Sequence, residues 1–295
     1  MADHELMTTR EVADLLRIKE RKVYDLAGAG EIPCVRVTGK LLFPRSLIHA
    51  WLVRHTYYGA GAESLKPRPA VVAGSHDPML EWALREAQTG LATLFDGSLD
   101  GLRRLAKGEA VAAGTHLSET ESGQWNVEHV TRALAGEPVV LLEWAHREQG
   151  LILPSSNPRR LRGIADLGGC RFVPRQREAG SYLLLVSLLA RERMTLDDLK
   201  LIDPLARTES DVALAVAEGR ADAGFGLSAM ARRHGLQFLP LARERYDLVV
   251  WRRDFFEPAL QRLFAFAHSA AFAERAATME GYDFGGLGTV RYNGP

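Results

Sequence analysis

Residues 8–52 contain the pattern that most constrains what this 295-residue chain can fold into. A threonine pair followed by Glu11 is a helix N-cap signal, and the apolar residues after it recur at helical spacing. A tight turn leads to a second helix over residues 21–27, which ends near two glycines. Two short alternating segments then flank Thr38-Gly39, which is typical of a β-hairpin. The segment therefore predicts two helices, a hairpin and, after it, a third helix.

The chain as a whole has a net charge of zero, so any excess of basic residues is local. Residues 1–56 carry nine Lys and Arg against seven Asp and Glu. Their placement is more informative than this small excess, because most of them fall on the second helix, the hairpin and the start of the third helix, which contact DNA in winged folds. The residues that we predict to contact double-stranded DNA are Lys19, Arg21, Lys22, Tyr24, Arg36, Lys40 and Arg45.

This segment resembles the excisionase and MerR-like class of winged helix-turn-helix domains, with the motifs in the expected order. The resemblance implies that Arg21, Lys22 and Tyr24 face the major groove. It also implies that Arg36 and Lys40 grip the DNA backbone or the minor groove. The alternative is a small packing domain whose charged face is only solvated.

A domain boundary is expected at residues 57–69, where small residues and two prolines interrupt every periodicity. We therefore assign residues 1–56 to a winged helix-turn-helix DNA-binding domain, 57–69 to a linker and 70–295 to a second domain. In the second domain short apolar strands, including 139–143 and 248–251, alternate with helices. Such alternation predicts an α/β domain with parallel strands and right-handed crossovers.

Four junctions between a strand and the next helix carry small, hydroxyl or acidic residues, and they lie at 74–78, 96–98, 178–181 and 208–211. Ligands of open α/β folds bind at the carboxyl ends of strands, where free N–H groups and positive helix ends favour an anion. Each junction alone is weak support, since Ser, Thr and Asp are ordinary N-caps. Together they predict a shared cleft.

The second domain resembles the type II periplasmic-binding-protein fold, in the form that is fused to helix-turn-helix regulators and related to molybdate-binding proteins. The motif Gly219-Arg220-Ala221-Asp222 is the most telling part of a resemblance that runs over residues 70–292. It implies two lobes, one of residues 70–148 plus 245–295 and the other of residues 149–244. Two crossing segments would join the lobes, and a ligand gripped between them would close the hinge.

By its motifs, the resemblance places ligand contacts on both lobes: Ser75, His76, Ser98 and Thr115 on the first, Arg175, Ser181 and Asp222 on the second, and Tyr246 near the return crossing. Arg175 is the strongest of these, because a guanidinium at a strand end can fork onto a carboxylate or an oxyanion. Asp222 has an equally good structural reading as the cap of its turn, and His76 could simply order its own turn.

The chain departs from the usual pattern of such domains at two points. Such domains usually continue with Gly-Ser-Gly-Thr-Arg after the Arg-Gln pair, but this chain has Glu178-Ala179-Gly180-Ser181-Tyr182, so the arginine of that run is missing. Ser210-Asp211 stands where a Thr-His pair is usual. One cation fewer and one carboxylate more weaken the match to a bare oxyanion, because an unpaired carboxylate repels an anion. A molybdate- or tungstate-like oxyanion, a small carboxylate metabolite and an organic ligand with its own amine or hydroxyls all stay open.

No apolar run approaches the roughly 20 residues of a membrane span, and the N-terminus lacks the basic and apolar regions of a secretory signal. We therefore expect a cytoplasmic protein that contacts no membrane, and the sequence indicates no cofactor, metal site or catalytic residue. These features favour a one-component, ligand-responsive transcriptional regulator that acts as a homodimer on two half-sites.

Three alternatives remain. An enzyme could use His76 and Asp77 as an acid–base pair, although adjacent residues on a turn rarely point the same way, and no nucleophile elbow, zinc motif or P-loop is present. A transport binding protein would need a secretory signal. A DNA-binding protein with a vestigial cleft would respond to no ligand.

Overall fold

The computed structural model describes residues 5–37, 39–57, 66–119 and 125–295 of the chain. The chain divides into two compact units, Met1–Lys66 and Pro67–Pro295.

The N-terminal unit is a small antiparallel sheet packed with three helices. Its elements are β1 (Leu6–Thr8), α1 (Thr9–Leu16), α2 (Glu20–Gly28), β2 (Val35–Val37), β3 (Lys40–Pro44) and α3 (Arg45–His55). β3 lies between β1 and β2 and pairs with both. The pairing of β2 with β3 is the predicted hairpin, whereas the short strand β1 has no signal in the sequence pattern.

Local signals explain where these helices begin and end. Thr8 is the N-cap of α1: its hydroxyl accepts a hydrogen bond from the backbone N–H of Glu11 at 3.3 Å, and the Glu11 carboxylate accepts one from the Thr8 N–H at 2.7 Å. Arg17 ends α1 in the left-handed conformation, with φ of 56°. The core of the unit is apolar, and Val12 and Ile48 are fully buried within it.

The C-terminal unit is built on one ten-stranded sheet with helices on its faces. Its elements are β4 (Val71–Gly74), α4 (Pro78–Glu86), β5 (Ala92–Leu94), α5 (Ser98–Ala106), β6 (Ala112–Thr115), α6 (Val127–Ala133), β7 (Val139–Leu153), β8 (Arg171–Val173), α7 (Gly180–Arg191), β9 (Lys200–Leu201), α8 (Glu209–Ala217), β10 (Ala223–Leu227), α9 (Ser228–Arg233), β11 (Gln237–Trp251), α10 (Arg252–Phe255), α11 (Pro258–Ala267), α12 (Ala270–Ala276), β12 (Tyr282–Asp283) and β13 (Val290–Asn293).

The strand order β5-β4-β6-β11-β7-β10-β8-β9 places two long strands in the middle of the sheet. β7 and β11 are 15 residues each and pair antiparallel along their length, with a bulge between Tyr246 and Asp247. On one side lie β4–β6, which pair in parallel, with α4–α6 and α10–α12; we call this side lobe 1. On the other side lie β8–β10, also parallel, with α7–α9; this is lobe 2. The sequence pattern predicts only one end of each crossing strand, at 139–143 and 248–251.

Each lobe has its own hydrophobic core, and the crossing strands contribute to both. In lobe 1, Trp144 of β7 packs with Leu80 of α4 and Leu260 of α11. In lobe 2, Leu151 of β7 packs with Phe172 of β8. Burying a side chain of this size stabilises the fold by about 1.5–3 kcal/mol, so the two halves of each crossing strand are anchored separately. In the described ranges, no helix combines the length and the apolar character that crossing a membrane requires.

Candidate ligand site between the lobes

The first turns of four helices, two from each lobe, meet where the lobes face each other. The backbone N–H of Leu99 in α5 donates to the carbonyl of Glu178, just before α7, at 3.3 Å. The backbone N–H of Glu209, which opens α8, donates to Nδ1 of His76, just before α4, at 3.3 Å. The four strand-to-helix junctions that the sequence predicts to share a cleft are thus brought together.

Charged pairs join the lobes at the rim of this region. Arg103 of α5 donates two hydrogen bonds of 2.8 Å to the carboxylate of Glu178, and Arg207 lies 3.5 Å from Asp96. Exposed ion pairs of this kind contribute about 0–1 kcal/mol each, so the rim by itself adds little to the stability of the contact between lobes.

A network of buried charges lies beneath the rim, on the crossing strands. Arg147 of β7 donates to Asp77 at 2.9 Å and also to Glu244 of β11. Glu244 accepts a further hydrogen bond from the Gln149 amide at 3.0 Å, and it lies 2.7 Å from Nδ1 of His116. Because a carboxylate only accepts, Nδ1 of His116 carries a proton in this arrangement. Arg147 and Glu244 are both fully buried, so each compensates the desolvated charge of the other.

The pKa values of the network follow from this pairing. Burial by itself would raise the pKa of Glu244, but Arg147 and His116 outweigh burial and lower it to about 2. Burial works against the charge of Arg147 too, yet Glu244, Tyr282 and Asp77 hold the pKa of Arg147 well above its usual value. Glu244 is therefore a carboxylate, and Arg147 a guanidinium, at any physiological pH.

The second buried ion pair joins Arg175, after β8, to Glu209. The guanidinium donates to one oxygen of Glu209 at 2.5 Å and to the carbonyl of Arg207 at 3.1 Å. Arg175 is the residue that the sequence favours most as a ligand contact. The structure places it at the junction of the lobes, but with its charge already paired by an acidic neighbour.

Most of the other predicted ligand residues are also buried there. Ser75 lies 2.7 Å from Nε2 of His116, and the Ser98 hydroxyl accepts from the His116 backbone N–H at 3.2 Å. The Tyr246 hydroxyl donates to the Ser75 carbonyl at 2.6 Å. Burial and Asp77 raise the pKa of Tyr246 well above its usual value, so the phenol stays a donor.

Three predicted ligand residues differ from this group. Thr115 is buried, but its hydroxyl donates to Asn126 at 3.3 Å. Ser181 is buried at the start of α7, and its hydroxyl has no hydrogen-bond partner in the described residues. Asp222 is not brought to the site: it precedes β10 and pairs at 2.7 Å with Arg171, at the start of β8, whereas Arg175 follows the opposite end of β8.

The charged residues at the centre of the site are mostly ones that the sequence pattern does not single out. Arg147, Gln149 and Glu244 lie on stretches of β7 and β11 beyond the predicted strands. The carboxylate that the sequence places near the cleft is Asp211, but it caps α8, where it accepts from the Thr208 N–H at 2.8 Å. Glu209, two residues earlier, supplies the buried carboxylate. The signal that could have identified these residues is the run of charged side chains in the middle of β7 and β11, between apolar stretches that are typical of strands.

The residues suggested for acid–base chemistry are engaged with different partners. Asp77 caps α4 and accepts hydrogen bonds from Leu80, Trp144, Arg147 and Tyr282. His76 accepts at Nδ1 from the Glu209 N–H, so its other nitrogen carries the proton and donates to Glu81 at 3.1 Å. The two side chains form no pair with each other in the described region. No group of three or more His, Cys, Asp and Glu that could hold a metal ion occurs there either.

Asp247, at the bulge of β11, gives a pH dependence that can be measured. Burial raises the pKa of Asp247 from 3.8 to about 6, although Arg245 at 3.0 Å and Asn126 at 2.7 Å oppose this. Because the folded-state pKa exceeds the unfolded one, the contribution to stability is complete below pH 4 and is lost as the pH rises through 6. Relative to Asp247→Asn, the wild type should lose about 2 kcal/mol of unfolding free energy between pH 4 and pH 7.

Urea denaturation of the two proteins across this range measures the difference. A constant offset between them would show that Asp247 does not titrate in this window.

The N-terminal unit presents its basic residues to solvent. Arg21 and Lys22 of α2, Lys19 before it, and Arg36 and Lys40 of the hairpin are exposed. Within the described parts of the chain, none of these five forms an ion pair or a side-chain hydrogen bond. Two further predicted DNA contacts are on the same unit: Tyr24 is 54% exposed, and Arg45, at the start of α3, is partly buried.

Comparison with known proteins places both units in described classes. Residues 6–56 match the family model of the helix-turn-helix domain, and residues 81–268 match that of the PBP superfamily domain. The protein thus joins a DNA-binding helix-turn-helix unit to a substrate-binding unit. Neither of the two matching families is a family of enzymes. The chain belongs to the PBP superfamily, the periplasmic-binding-protein fold.

The chain is 26% identical to the uncharacterized protein YvgK of Bacillus subtilis (strain 168). This match runs over 292 residues and covers 94% of each chain. One similar solved structure is a putative phosphate ABC transporter substrate-binding protein of Clostridium perfringens with bound phosphate. Its TM-score is 0.53 at 10% sequence identity, and the match covers 71% of this chain and 96% of that chain. A cysteine mutant of Corynebacterium glutamicum OxyR with bound hydrogen peroxide has a TM-score of 0.51 at 14% identity, covering 92% and 90%. These two likenesses describe the fold alone.

Proposed function

We propose that this protein is a one-component transcriptional regulator whose affinity for DNA changes when a small molecule binds between lobe 1 and lobe 2. The observation that carries the proposal is the union, in one chain, of a helix-turn-helix unit bearing exposed basic residues with a two-lobed binding unit whose lobes meet around buried polar groups. A protein that only bound DNA would have no need of the second unit, and a transport receptor would have no need of the first.

The buried polar groups support a ligand site at the junction. Ser181 Oγ, Gln149 Oε1 and Glu209 Oε2 have no hydrogen-bond partner in the described residues. A buried polar atom without a partner costs about 1–3 kcal/mol, and native proteins contain few of them. Three at the contact between two lobes are best explained by a ligand that satisfies them when bound, so that ligand binding and lobe closure stabilise each other.

We further propose that the protein binds double-stranded DNA in the cytoplasm as a homodimer. Helix-turn-helix units bind half-sites about one helical turn apart, so a two-fold symmetric dimer reads a palindromic operator. The effector would then act by changing how the two N-terminal units are presented. The pairing of Asp77 with Arg147 and of His76 with Glu81 argues against catalysis by these two residues.

The Arg21→Ala/Lys22→Ala variant should bind operator DNA at least about tenfold more weakly than the wild type, because each lost phosphate or base contact costs about 1–3 kcal/mol. The slope of log affinity against log salt should fall by about two in the same variant, since each phosphate contact releases one counterion. Fluorescence anisotropy on an operator selected from genomic fragments measures both quantities.

Arg54→Ala is the matched control, because Arg54 is exposed on α3 and outside the predicted interface. It should leave DNA affinity unchanged. Equal losses in the two variants would contradict the assignment of α2. DNA affinity that stays constant when the small-molecule fraction of a cell extract is added would contradict the regulatory part of the proposal.

A further inference from the structure

The charges at the junction of the lobes do not match a bare oxyanion. Three carboxylates, Asp77, Glu209 and Glu244, are buried there with only two guanidiniums, Arg147 and Arg175, among the described residues. Nδ1 of His76 accepts a hydrogen bond from the Glu209 N–H at 3.3 Å, so this side of the imidazole offers no donor to the site. At this junction the buried acidic side chains outnumber the buried arginines by one.

Both guanidiniums are already committed. Arg147 is shared between Asp77 and Glu244, and Arg175 donates to Glu209 and to a backbone carbonyl. An anion entering this site would have to displace a buried carboxylate from a cation or lie beside an unpaired carboxylate oxygen. Either costs energy in a poorly solvated site, where like charges repel strongly.

The atoms that lack partners in the described residues point to the opposite ligand chemistry. Glu209 Oε2 and Gln149 Oε1 are acceptors only, and Ser181 Oγ can accept as well as donate. The guanidinium carbon of Arg147 lies over the Tyr246 ring, and Arg147 Nε is the one donor of the network that has no hydrogen-bond partner in the described residues. Two acceptors and one hydroxyl that can accept, against one donor, match a ligand that mainly donates hydrogen bonds.

We infer that the interlobe site binds a small organic amine in its protonated form, with the ammonium group held by Glu209 and further donors taken by Gln149 and Ser181. This inference rests on the proposed function, since it names the chemical class of the effector. An ammonium supplies both a positive charge for the acidic side chain in excess over the arginines and N–H donors, and its hydrogen bonds to a buried carboxylate are of the strong, charge-assisted kind. Oxyanions would be excluded by the same carboxylate.

The test uses the full-length protein with two sets of probes: ethanolamine, putrescine and agmatine as amines, and molybdate, phosphate and sulfate as oxyanions. Thermal shift and titration calorimetry at millimolar probe concentrations are expected to detect binding of at least one amine and of no oxyanion. Glu209→Gln keeps the shape and one acceptor but removes the charge, so it should weaken amine binding by about tenfold or more.

Ser181→Ala separates a ligand role from a structural one. Removing a buried hydroxyl that has no partner in the described residues should leave thermal stability unchanged or raised, while lowering amine affinity. A merely structural role would lower thermal stability and leave amine affinity unchanged.

Two results would overturn the inference: oxyanion binding that Glu209→Gln strengthens, and failure of every amine to bind. Oxyanion binding that Glu209→Gln leaves unchanged, beside amine binding that it weakens, would support the inference and locate the anion elsewhere, for instance in the groove of about 390 Å³ lined by Arg85, Arg232, Arg233 and Arg275. An oxyanion that binds between the lobes and alters DNA affinity would leave the proposed function standing. An amine that binds there without altering DNA affinity would support the inference and contradict the function.

Discussion

The Arg147→Met variant is expected to lose about 3–5 kcal/mol of the unfolding free energy of the C-terminal unit. Arg147 is the shared cation of two fully buried carboxylates, Asp77 and Glu244. Methionine preserves much of the side-chain volume, so the loss comes mainly from leaving two desolvated charges without compensation. Urea denaturation followed by far-UV circular dichroism at pH 7 measures the effect.

Arg103→Met is the matched control. Arg103 also pairs with two carboxylates, Asp100 and Glu178, but its side chain is 54% exposed, so solvent screens both pairs. Its loss should stay within about 1 kcal/mol. Comparable losses in the two variants would show that burial does not strengthen the pairing of Arg147. Adding Glu244→Gln to Arg147→Met should recover part of the stability, because it removes one of the orphaned charges.

Much of the architecture could be predicted because it depends on local signals. The Thr8 cap, the hairpin around Gly39 and the helix that follows it are encoded within a few residues of one another. The alternation of strands and helices in the second unit is likewise a short-range pattern. These features suffice to predict a winged helix-turn-helix unit and an α/β unit, whereas the two lobes were implied by the resemblance to periplasmic binding proteins. The predicted fold class is confirmed.

The centre of the site escaped prediction because it is held by long-range pairing. Arg147 and Glu244 are 97 residues apart, and both lie outside the strands that the sequence predicts at 139–143 and 248–251. They are buried only because β7 and β11 lie side by side and each carries the partner of the other. Local propensity contains no information about such a pair, and this is also why both crossing strands were predicted too short.

Choosing between neighbouring acids failed for a related reason. Glu209 and Asp211 both stand in the first turn of α8, where either could cap the helix. Asp211 has the shorter side chain and closes the capping box with Thr208, which leaves Glu209 to extend towards Arg175. The sequence correctly predicts a negative charge near the cleft, but Glu209 carries it, and Asp211 caps the helix instead.

The position of the network also ties the site to the hinge. Arg147, Gln149 and Glu244 belong to the two strands that join the lobes, and Glu244 lies close to the bulge at Tyr246. A ligand held by these residues and by Ser181 and Glu209 of lobe 2 would contact the hinge and one lobe at once. Binding energy can then be expressed directly as a change in the angle between the lobes.

The Gly180→Ala variant should lose the ability to bring the lobes together while each lobe remains folded. A Cβ at Gly180 would lie 2.5 Å from the carbonyl oxygen of His116 and 2.8 Å from its ring. Gly180 opens α7 with no left-handed φ, so alanine suits the helix itself and costs nothing locally. The clash exists only where lobe 2 meets lobe 1, and it should cost about 1–3 kcal/mol in that state alone.

We therefore expect Gly180→Ala to weaken the response of DNA affinity to the small-molecule fraction of a cell extract by about tenfold to a hundredfold. Small-angle scattering should show that the wild type becomes more compact in the extract fraction and that the variant does not. Gly168→Ala is the control, because a Cβ there meets nothing within 4 Å and the residue lies in the same lobe. If Gly180→Ala becomes compact and responds in the same way as Gly168→Ala, the lobes need not meet at His116 for the effector to act. The coupling between ligand binding and DNA affinity would then have to run through the crossing strands alone.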